Sequence, residues 1–210
     1  PDGPYASQPD RGGRERLAGS SGNPTALPAG SYSRIDWGSP DAGGGSSSGN
    51  PTAPGGWIMF RLKVCGITCI EDALLAQETG VEAIGLIFCS SPRQVTMEQA
   101  RKITSHLSPG ICKIGVFRNP APEEVRVIVQ ECRLDLVQLH GDESAAWADG
   151  LGIPYIKGVT AGNSAEGWRN SSATALLIDN GQGGTGSCFN WELFQDYRRL
   201  GKPLVLADGL

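Results

Sequence analysis

Residues that commonly bind metal ions are scarce in this sequence. It contains only two histidines, and none of its six cysteines forms a C-x-x-C pair. Structural zinc sites use closely spaced cysteine or histidine pairs, so we expect no metal site. An apolar signal-peptide core is also missing, which makes a disulfide framework a poor explanation of the even cysteine count. We therefore expect free thiols and a cytoplasmic location, with a plastid not excluded.

Charge and glycine motifs exclude further classes of function. The net charge is −4, and the first 56 residues hold four basic and five acidic residues, so the chain offers no polybasic surface for nucleic acid or a membrane. No G-x-G-x-x-G turn follows the first apolar run, at 59–65, and a Walker motif is absent. A dinucleotide-binding sheet or a P-loop is therefore not expected.

Residues 1–57 have the composition of a disordered tail. The first 56 residues include 13 Gly, 8 Pro and 9 Ser, and the heptapeptide S-S-G-N-P-T-A at 20–26 recurs at 47–53. Such a segment buries too little apolar surface to offset its ordering entropy. We expect folding, and the translation start, to begin near Met59, the first methionine.

Residues 58–210 alternate between short apolar runs and helical segments, a pattern typical of an α/β protein with a parallel sheet. We predict strands at 59–65, 82–88, 112–117, 134–139, 154–159, 174–179 and 203–207. Helices are predicted at 70–79, 96–106, 122–132, 143–149, 164–170 and 189–199. This predicts a (β/α)8 TIM barrel that is incomplete, with about seven strands. Its first and last strands would then be unpaired edges, and we expect such a chain to aggregate and be inactive.

Candidate reacting groups lie where the predicted strands end, which is where barrel enzymes place them. Cys65 ends the first strand and shares a face with Lys63, whose ammonium would favour a thiolate. We predict that Thr68 and Glu71 form a capping box that opens the next helix. A cysteine there is more commonly a small buried apolar residue, and Asp179 could equally be an N-cap. Neither residue alone therefore indicates a catalytic site, and the prediction depends on the combination of residues at the strand ends.

The strand ends, taken together, resemble those of the phosphoribosylanthranilate isomerase family. The motifs are K-V-C-G-I-T at 63–68, S-P-R at 91–93, Q-L-H-G at 138–141 and G-G-T-G at 183–186. The resemblance runs from Arg61 to the last residue, and the combination is specific although each piece alone is not. It implies an Amadori rearrangement of N-(5-phosphoribosyl)anthranilate in tryptophan biosynthesis, with no cofactor.

The resemblance also implies roles for individual residues. Cys65 would be the general base and Asp179 the general acid. Substrate-binding positions would be Arg93, His140, Gly184 and Gly209. Arg93 would hold the anthranilate carboxylate, for which its planar fork is suited, although a loop arginine is commonly exposed to solvent. His140 could equally hydrogen-bond the backbone. The expected partner is a phosphorylated small molecule, with a homodimer or a fusion to another tryptophan-pathway domain as further expectations.

Two departures from the family pattern leave an alternative open. The family usually has A-G-G-L where this chain has Ala207-Asp208-Gly209-Leu210, and a carboxylate there would repel a phosphate. The second departure is the missing last part of the barrel. The alternative is an inactive barrel fragment without catalytic function. Indole-glycerol-phosphate synthase and the tryptophan synthase α subunit suit the K-V-C-G-I-T motif poorly.

Overall fold

The fold was taken from a computed structural model, which describes residues 31–36, 52–53, 57–58, 60–179 and 191–207. Side chains are described for 60–179 and 191–207, apart from Leu193. Seven consecutive strands form a parallel sheet that curls into a barrel. They are β4 (Leu62–Cys65), β5 (Ala83–Ile87), β6 (Cys112–Phe117), β7 (Leu136–Leu139), β8 (Tyr155–Thr160), β9 (Ala175–Asp179) and β10 (Leu204–Ala207). The predicted α/β barrel with about seven parallel strands is confirmed.

Helices cover the outside of the sheet, as expected for parallel strands. They are α1 (Ile70–Glu78), α2 (Met97–His106), α3 (Pro122–Glu131), α4 (Ala145–Asp149) and α5 (Trp191–Arg198). The helix predicted at 164–170 is only one 3-10 turn, Glu166–Trp168. Helix α2 begins with a capping box of Thr96 with Gln99, and α3 has a proline, Pro122, at its first position.

The start of α1 differs from its prediction. Its N-cap is Cys69, whose Sγ accepts a hydrogen bond from the backbone N–H of Asp72 at 3.5 Å, so Thr68 and Glu71 do not form the capping box. The helix itself starts at Ile70, the first residue of the predicted helix, so the difference is confined to the capping residues.

Three short strands are described within the segment predicted to be a tail. Strand β1 (Ser31–Asp36) pairs antiparallel with both β4 and β10 and closes the barrel. Strands β2 (Thr52–Ala53) and β3 (Trp57–Ile58) pair with each other. The prediction that the first and last parallel strands are unpaired edges is therefore wrong. The reason is that an open strand presents free N–H and C=O groups that any extended segment can satisfy.

The interior of the barrel has an apolar layer and a polar layer. The apolar layer lies toward the amino ends of the strands and includes Ala83, Ile114, Leu136, Ile156, Leu177 and Val205. Every second residue of a strand faces the same side, so the inward positions that follow are the polar Gln138 and Asp179, the glycines Gly85 and Gly158, and the apolar Val116 and Ala207. The polar groups thus collect at the carboxyl ends of the strands, the end where barrel enzymes bind substrates.

Candidate active site

Cys65 lies at the carboxyl end of β4, beside a strand position that has no side chain. A Cβ built on Gly85 of β5 would lie 2.7 Å from Cys65 Sγ and 3.1 Å from Lys63 Nζ. Glycine is therefore required there for the thiol and the ammonium to reach the barrel interior. The predicted sharing of one face by Lys63 and Cys65 is confirmed by this common contact.

Lys63 crosses the barrel interior to reach β7. Its side chain is buried, and its Nζ donates a hydrogen bond to Gln138 Oε1 at 2.9 Å. Strands β4 and β7 are separated by β5 and β6 in the sheet, so this contact is made across the lumen. A buried ammonium needs such an acceptor, since desolvation without one is costly.

His140 and Asp179 meet at the same end of the barrel. His140 follows β7 directly, and its Nε2 lies 3.0 Å from Asp179 Oδ2 at the end of β9. The other ring nitrogen, Nδ1, lies 3.1 Å from Gln138 Nε2. Gly158 makes room for the ring, because a Cβ there would lie 2.9 Å from Nδ1. The predicted acid Asp179 is therefore held by His140, with a side chain 15% exposed.

Arg93 is placed beside Cys65 by the loop after β5. Its Nη1 donates to the backbone carbonyl of Cys65 at 3.0 Å. The guanidinium lies over Gly66, where a Cβ would be only 2.9 Å from Arg93 Nε. Within the described part of the chain the guanidinium makes this one hydrogen bond, which leaves other N–H groups of its fork available for an anion, since arginine has five.

A second network, which we call the loop clamp, comprises Asn119, Gly141 and the buried pair of Glu143 and Lys157. Glu143 accepts from Lys157 Nζ at 2.7 Å and from the backbone N–H groups of Asn119 and Gly141 at 2.7 and 3.0 Å. Lys157 Nζ also donates to the Gly141 carbonyl at 2.6 Å. Charge-assisted hydrogen bonds of this kind are strong, so the clamp ties the loops after β6 and β7 to β8.

A cavity of about 350 Å³ opens beside His140 at this end of the barrel. The loops after β6, β7 and β8 line it, with Arg118, Asp142, Thr160 and Trp168 among its residues. Its volume is sufficient for a small ligand, because ligand pockets commonly start near ~300 Å³.

Three of the other four described cysteines lie where burial disfavours a thiolate. Burial raises the pKa of the Cys112 thiol to about 12, and it also raises the pKa values of Cys89 and Cys132. Those three groups therefore keep their protons at neutral pH and are poor nucleophiles or bases.

The structure brings together four of the residues predicted from the sequence. Cys65, Arg93, His140 and Asp179 all lie at the carboxyl end of the barrel, whereas Gly184 and Gly209 lie outside the described residues. Sequence reasoning assigned no role to Gln138, Glu143 or Lys157. Lys157 could have been noticed in the sequence, because a lysine within the apolar run of β8 predicts a buried cation that requires a partner.

The chain is similar to known proteins in both sequence and structure. Residues 62–210 match the model of the N-(5'-phosphoribosyl)anthranilate (PRA) isomerase family. A protein of Azotobacter vinelandii named N-(5'-phosphoribosyl)anthranilate isomerase is 45% identical over 159 residues, covering 71% of this chain and 76% of the relative.

Solved structures with similar folds carry the same family name. Phosphoribosyl anthranilate isomerase from Thermotoga maritima superposes with a TM-score of 0.64 at 35% identity, covering 70% of this chain and 76% of that one. A second structure of the Thermotoga maritima protein describes it as dimeric. A structure of phosphoribosyl anthranilate isomerase in complex with reduced 1-(o-carboxyphenylamino)-1-deoxyribulose 5-phosphate gives a TM-score of 0.57 at 33% identity, and the match covers 66% of this chain and 70% of that one.

Proposed function

The chain belongs to the PRA isomerase family, and from this premise we propose that it converts N-(5-phosphoribosyl)anthranilate into 1-(2-carboxyphenylamino)-1-deoxyribulose 5-phosphate in tryptophan biosynthesis. The observation that supports this most is the placement of Cys65 and Asp179 at the carboxyl ends of β4 and β9, around one mouth of the barrel. The alternative of a fragment without catalytic function is not favoured by the relatives.

Asp179 and Cys65 supply the acid and the base of the proposed reaction. Asp179 gives a proton to the furanose ring oxygen, the C1′–O bond breaks, and the lone pair of the anilino nitrogen forms a protonated Schiff base. Cys65, as a thiolate, takes the C2′ proton, and the freed electron pair forms a C1′–C2′ double bond while the nitrogen becomes neutral. Transfer of the enol proton to C1′ completes the ketone. Oxidation state is conserved overall, so the proposal needs no cofactor.

Arg93 is proposed to bind the anthranilate carboxylate of the substrate. Its guanidinium lies next to the Cys65 carbonyl, so a carboxylate bound there would bring the substrate over the thiol. A planar guanidinium can hold a carboxylate with two parallel hydrogen bonds, which fixes orientation as well as affinity. His140 is proposed to act on the substrate through Asp179 and to border the cavity beside it.

The fluorescence decay of freshly made phosphoribosylanthranilate tests this function. We expect turnover by the chain of 210 residues, or by the same chain extended with the residues of the Azotobacter vinelandii relative beyond the matched part. Cys65→Ala and Asp179→Asn should each lower kcat by about 10²-fold or more, the usual contribution of general acid–base catalysis. Turnover by neither form, with both folded, would contradict the proposal, and near-wild-type kcat in a variant would remove its residue from the mechanism.

Assembly and location are parts of the same proposal. We propose a cytoplasmic enzyme that works as a homodimer or as part of a fusion with another tryptophan-pathway domain. The dimeric Thermotoga maritima relative supports the first form of assembly. None of the helices in the described ranges has the length and apolar character needed to cross a membrane. Sedimentation of the native protein would distinguish a dimer from a monomer.

A further inference from the structure

We propose that Lys63 and Gln138 are positioning residues that fix His140 in its Nε2–H tautomer, so that an uncharged imidazole holds the catalytic carboxyl of Asp179. We call these four residues the acid relay. The inference rests on the proposed function, because the role of Asp179 as general acid belongs to it. It adds two residues from β4 and β7 to the machinery at the mouth of the barrel.

Lys63 determines which way the amide of Gln138 points. An ammonium has donors and no acceptor, so the atom 2.9 Å from Lys63 Nζ must be the amide oxygen of Gln138. The usual ambiguity between amide oxygen and nitrogen is thereby removed. Both side chains are almost fully buried, at 1% and 3% exposure, so bulk water does not compete for this bond. The amide nitrogen consequently faces His140.

Gln138 in turn determines the tautomer of His140. The amide NH₂ group can only donate, so Nδ1 of His140, 3.1 Å away, must be the unprotonated acceptor. The ring proton then lies on Nε2, which donates to Asp179 Oδ2 at 3.0 Å. A doubly protonated ring would set an Nδ1–H donor against the NH₂ donor. The Gly158 backbone, which packs against the ring, leaves it little room to turn away.

An uncharged imidazole suits an acid that must give up its proton. A full positive charge beside Asp179 would hold its carboxyl in the ionised form, which has no proton to give. A neutral N–H orients Oδ2 and leaves the acidic proton on Oδ1. After that proton has moved to the ring oxygen of the substrate, the same N–H stabilises the carboxylate that is formed. Neutral histidine donors are an established way of supporting acid–base chemistry.

¹⁵N NMR of the two histidines shows directly which ring nitrogens of His140 are protonated. With ¹⁵N-labelled histidine, the chain gives signals from His106 and His140 alone, and His106→Gln assigns them. His106 is exposed on α2, far from the proposed relay in the fold. We expect the His140 spectrum at neutral pH to show a protonated Nε2 and an unprotonated Nδ1. An unprotonated Nε2, or protonation of both nitrogens, would overturn the proposal without any variant having to fold.

Gln138→Glu is the variant that should change the ring and the rate together. A carboxylate at this position still accepts from Lys63 but also accepts from Nδ1–H, so both ring nitrogens should become protonated. We expect kcat to fall at least tenfold while KM changes less than twofold. The matched control is Gln130→Glu, the same change on an exposed position of α3, which should alter neither the His140 signals nor kcat.

The outcomes separate this inference from the proposed function. Wild-type turnover together with unchanged kcat in Gln138→Glu would overturn the acid relay and leave the isomerase standing. Absence of turnover in the folded wild type would overturn the proposed function, and the catalytic role of the tautomer with it. Lys63→Met is a second test, in which only the NMR signals of His140 are compared with wild type. Its kcat is not used, because Lys63 also lies near the proposed base, Cys65. This variant should release the amide and mix the two tautomers of His140, and a spectrum identical to wild type would overturn the role of Lys63.

Discussion

The loop clamp and the acid relay both begin from a buried lysine on a barrel strand, yet they use the cation in opposite ways. Lys157 on β8 meets a carboxylate, Glu143, and the two side chains are 6% and 2% exposed. Lys63 on β4 meets the neutral amide of Gln138, and in the proposed relay uncharged groups carry the hydrogen bonds onward to Asp179. One network joins opposite charges, and the other keeps a charge away from the reacting carboxyl.

This difference indicates a division of labour between stability and chemistry. A buried ion pair adds little net stability compared with an apolar pair, but removing one partner is costly because the other charge stays buried. We therefore expect changes in the clamp to lower the free energy of unfolding, and changes in the relay to lower kcat.

Glu143→Ala should have the largest effect, because it breaks the clamp. Lys157 would keep a buried ammonium without its carboxylate, and the free energy of unfolding should fall by about 3–5 kcal/mol in a urea titration. Glu143→Gln is the matched control, since its amide oxygen can still accept from the backbone N–H of Asn119. It should cost less than Glu143→Ala. A loss below about 1 kcal/mol in the alanine variant would contradict the clamp.

Asp149→Ala extends the comparison to the other end of the barrel. Asp149 accepts from Tyr155 Oη at 2.6 Å and from Ser172 Oγ at 2.6 Å, so the variant leaves a buried hydroxyl without its acceptor. The expected loss in the free energy of unfolding is about 1–3 kcal/mol. A loss under about 0.5 kcal/mol would show that water replaces the carboxylate.

The difference in the free energy of unfolding between wild type and Asp149→Ala should depend on pH. Hydrogen bonds from Ser172 and Tyr155 hold the pKa of Asp149 below its usual value. Because this pKa is lower in the folded state, ionised Asp149 stabilises the fold at pH values above the usual carboxyl pKa. That contribution to the free energy of unfolding is lost as the pH falls through the lowered pKa. The stability difference between wild type and Asp149→Ala should therefore be smaller at acidic than at neutral pH. Asp149 is exposed on one side, so solvent screening keeps this change small.

Gly158→Ala should break the relay while sparing stability. The added Cβ would lie 2.9 Å from His140 Nδ1, so the ring must shift away from Gln138 and Asp179. We expect kcat to fall about tenfold, equivalent to ~1.4 kcal/mol, with the free energy of unfolding changed by less than that. Gly110→Ala is the control, since a Cβ there meets nothing within 4 Å. Equal kcat in the two variants would contradict the role of the ring position.

Arg101→Ala should have the smallest effect on the free energy of unfolding, and it serves as the reference for an exposed ion pair. Arg101 of α2 lies 3.7 Å from Glu131 of α3, and both side chains are about half exposed. Surface ion pairs contribute little, so the free energy of unfolding should change by less than about 0.5 kcal/mol. A loss as large as that of Glu143→Ala would remove the distinction between buried and exposed pairs.

Sequence patterns predicted the strands well because apolar runs bounded by turns are local signals. The run at 82–88 became β5, Ala83–Ile87, and the run at 174–179 became β9, Ala175–Asp179. The prediction of a helix at 164–170 was wrong, since the structure has only a 3-10 turn at Glu166–Trp168. The residues at the end of this turn make contacts with other elements, which a local pattern does not contain. An example is the hydrogen bond from Arg169 to the carbonyl of Arg199.

The candidate site was predicted only in part for a related reason. Positions such as Cys65 and Asp179 could be read from strand ends, because all parallel strands end at one mouth. The partners Gln138, Glu143 and Lys157 depend on which strands face each other across the lumen, and no local pattern carries that information. Strand β1 shows the same limit, since a Gly- and Ser-rich neighbourhood gives no hint of its pairing.

The long sequence separation within the acid relay has a consequence for folding. Lys63 and Gln138 are 75 residues apart, and His140 and Asp179 are 39 apart, so the complete relay requires all six strands from β4 to β9. Closing such long loops is slow, because their entropy is lost before the contact is gained. During refolding the helices α1 to α3 and their adjoining strands can form from nearby residues. Catalytic competence would therefore return only with the last closure of the barrel, after most of the secondary structure is already in place.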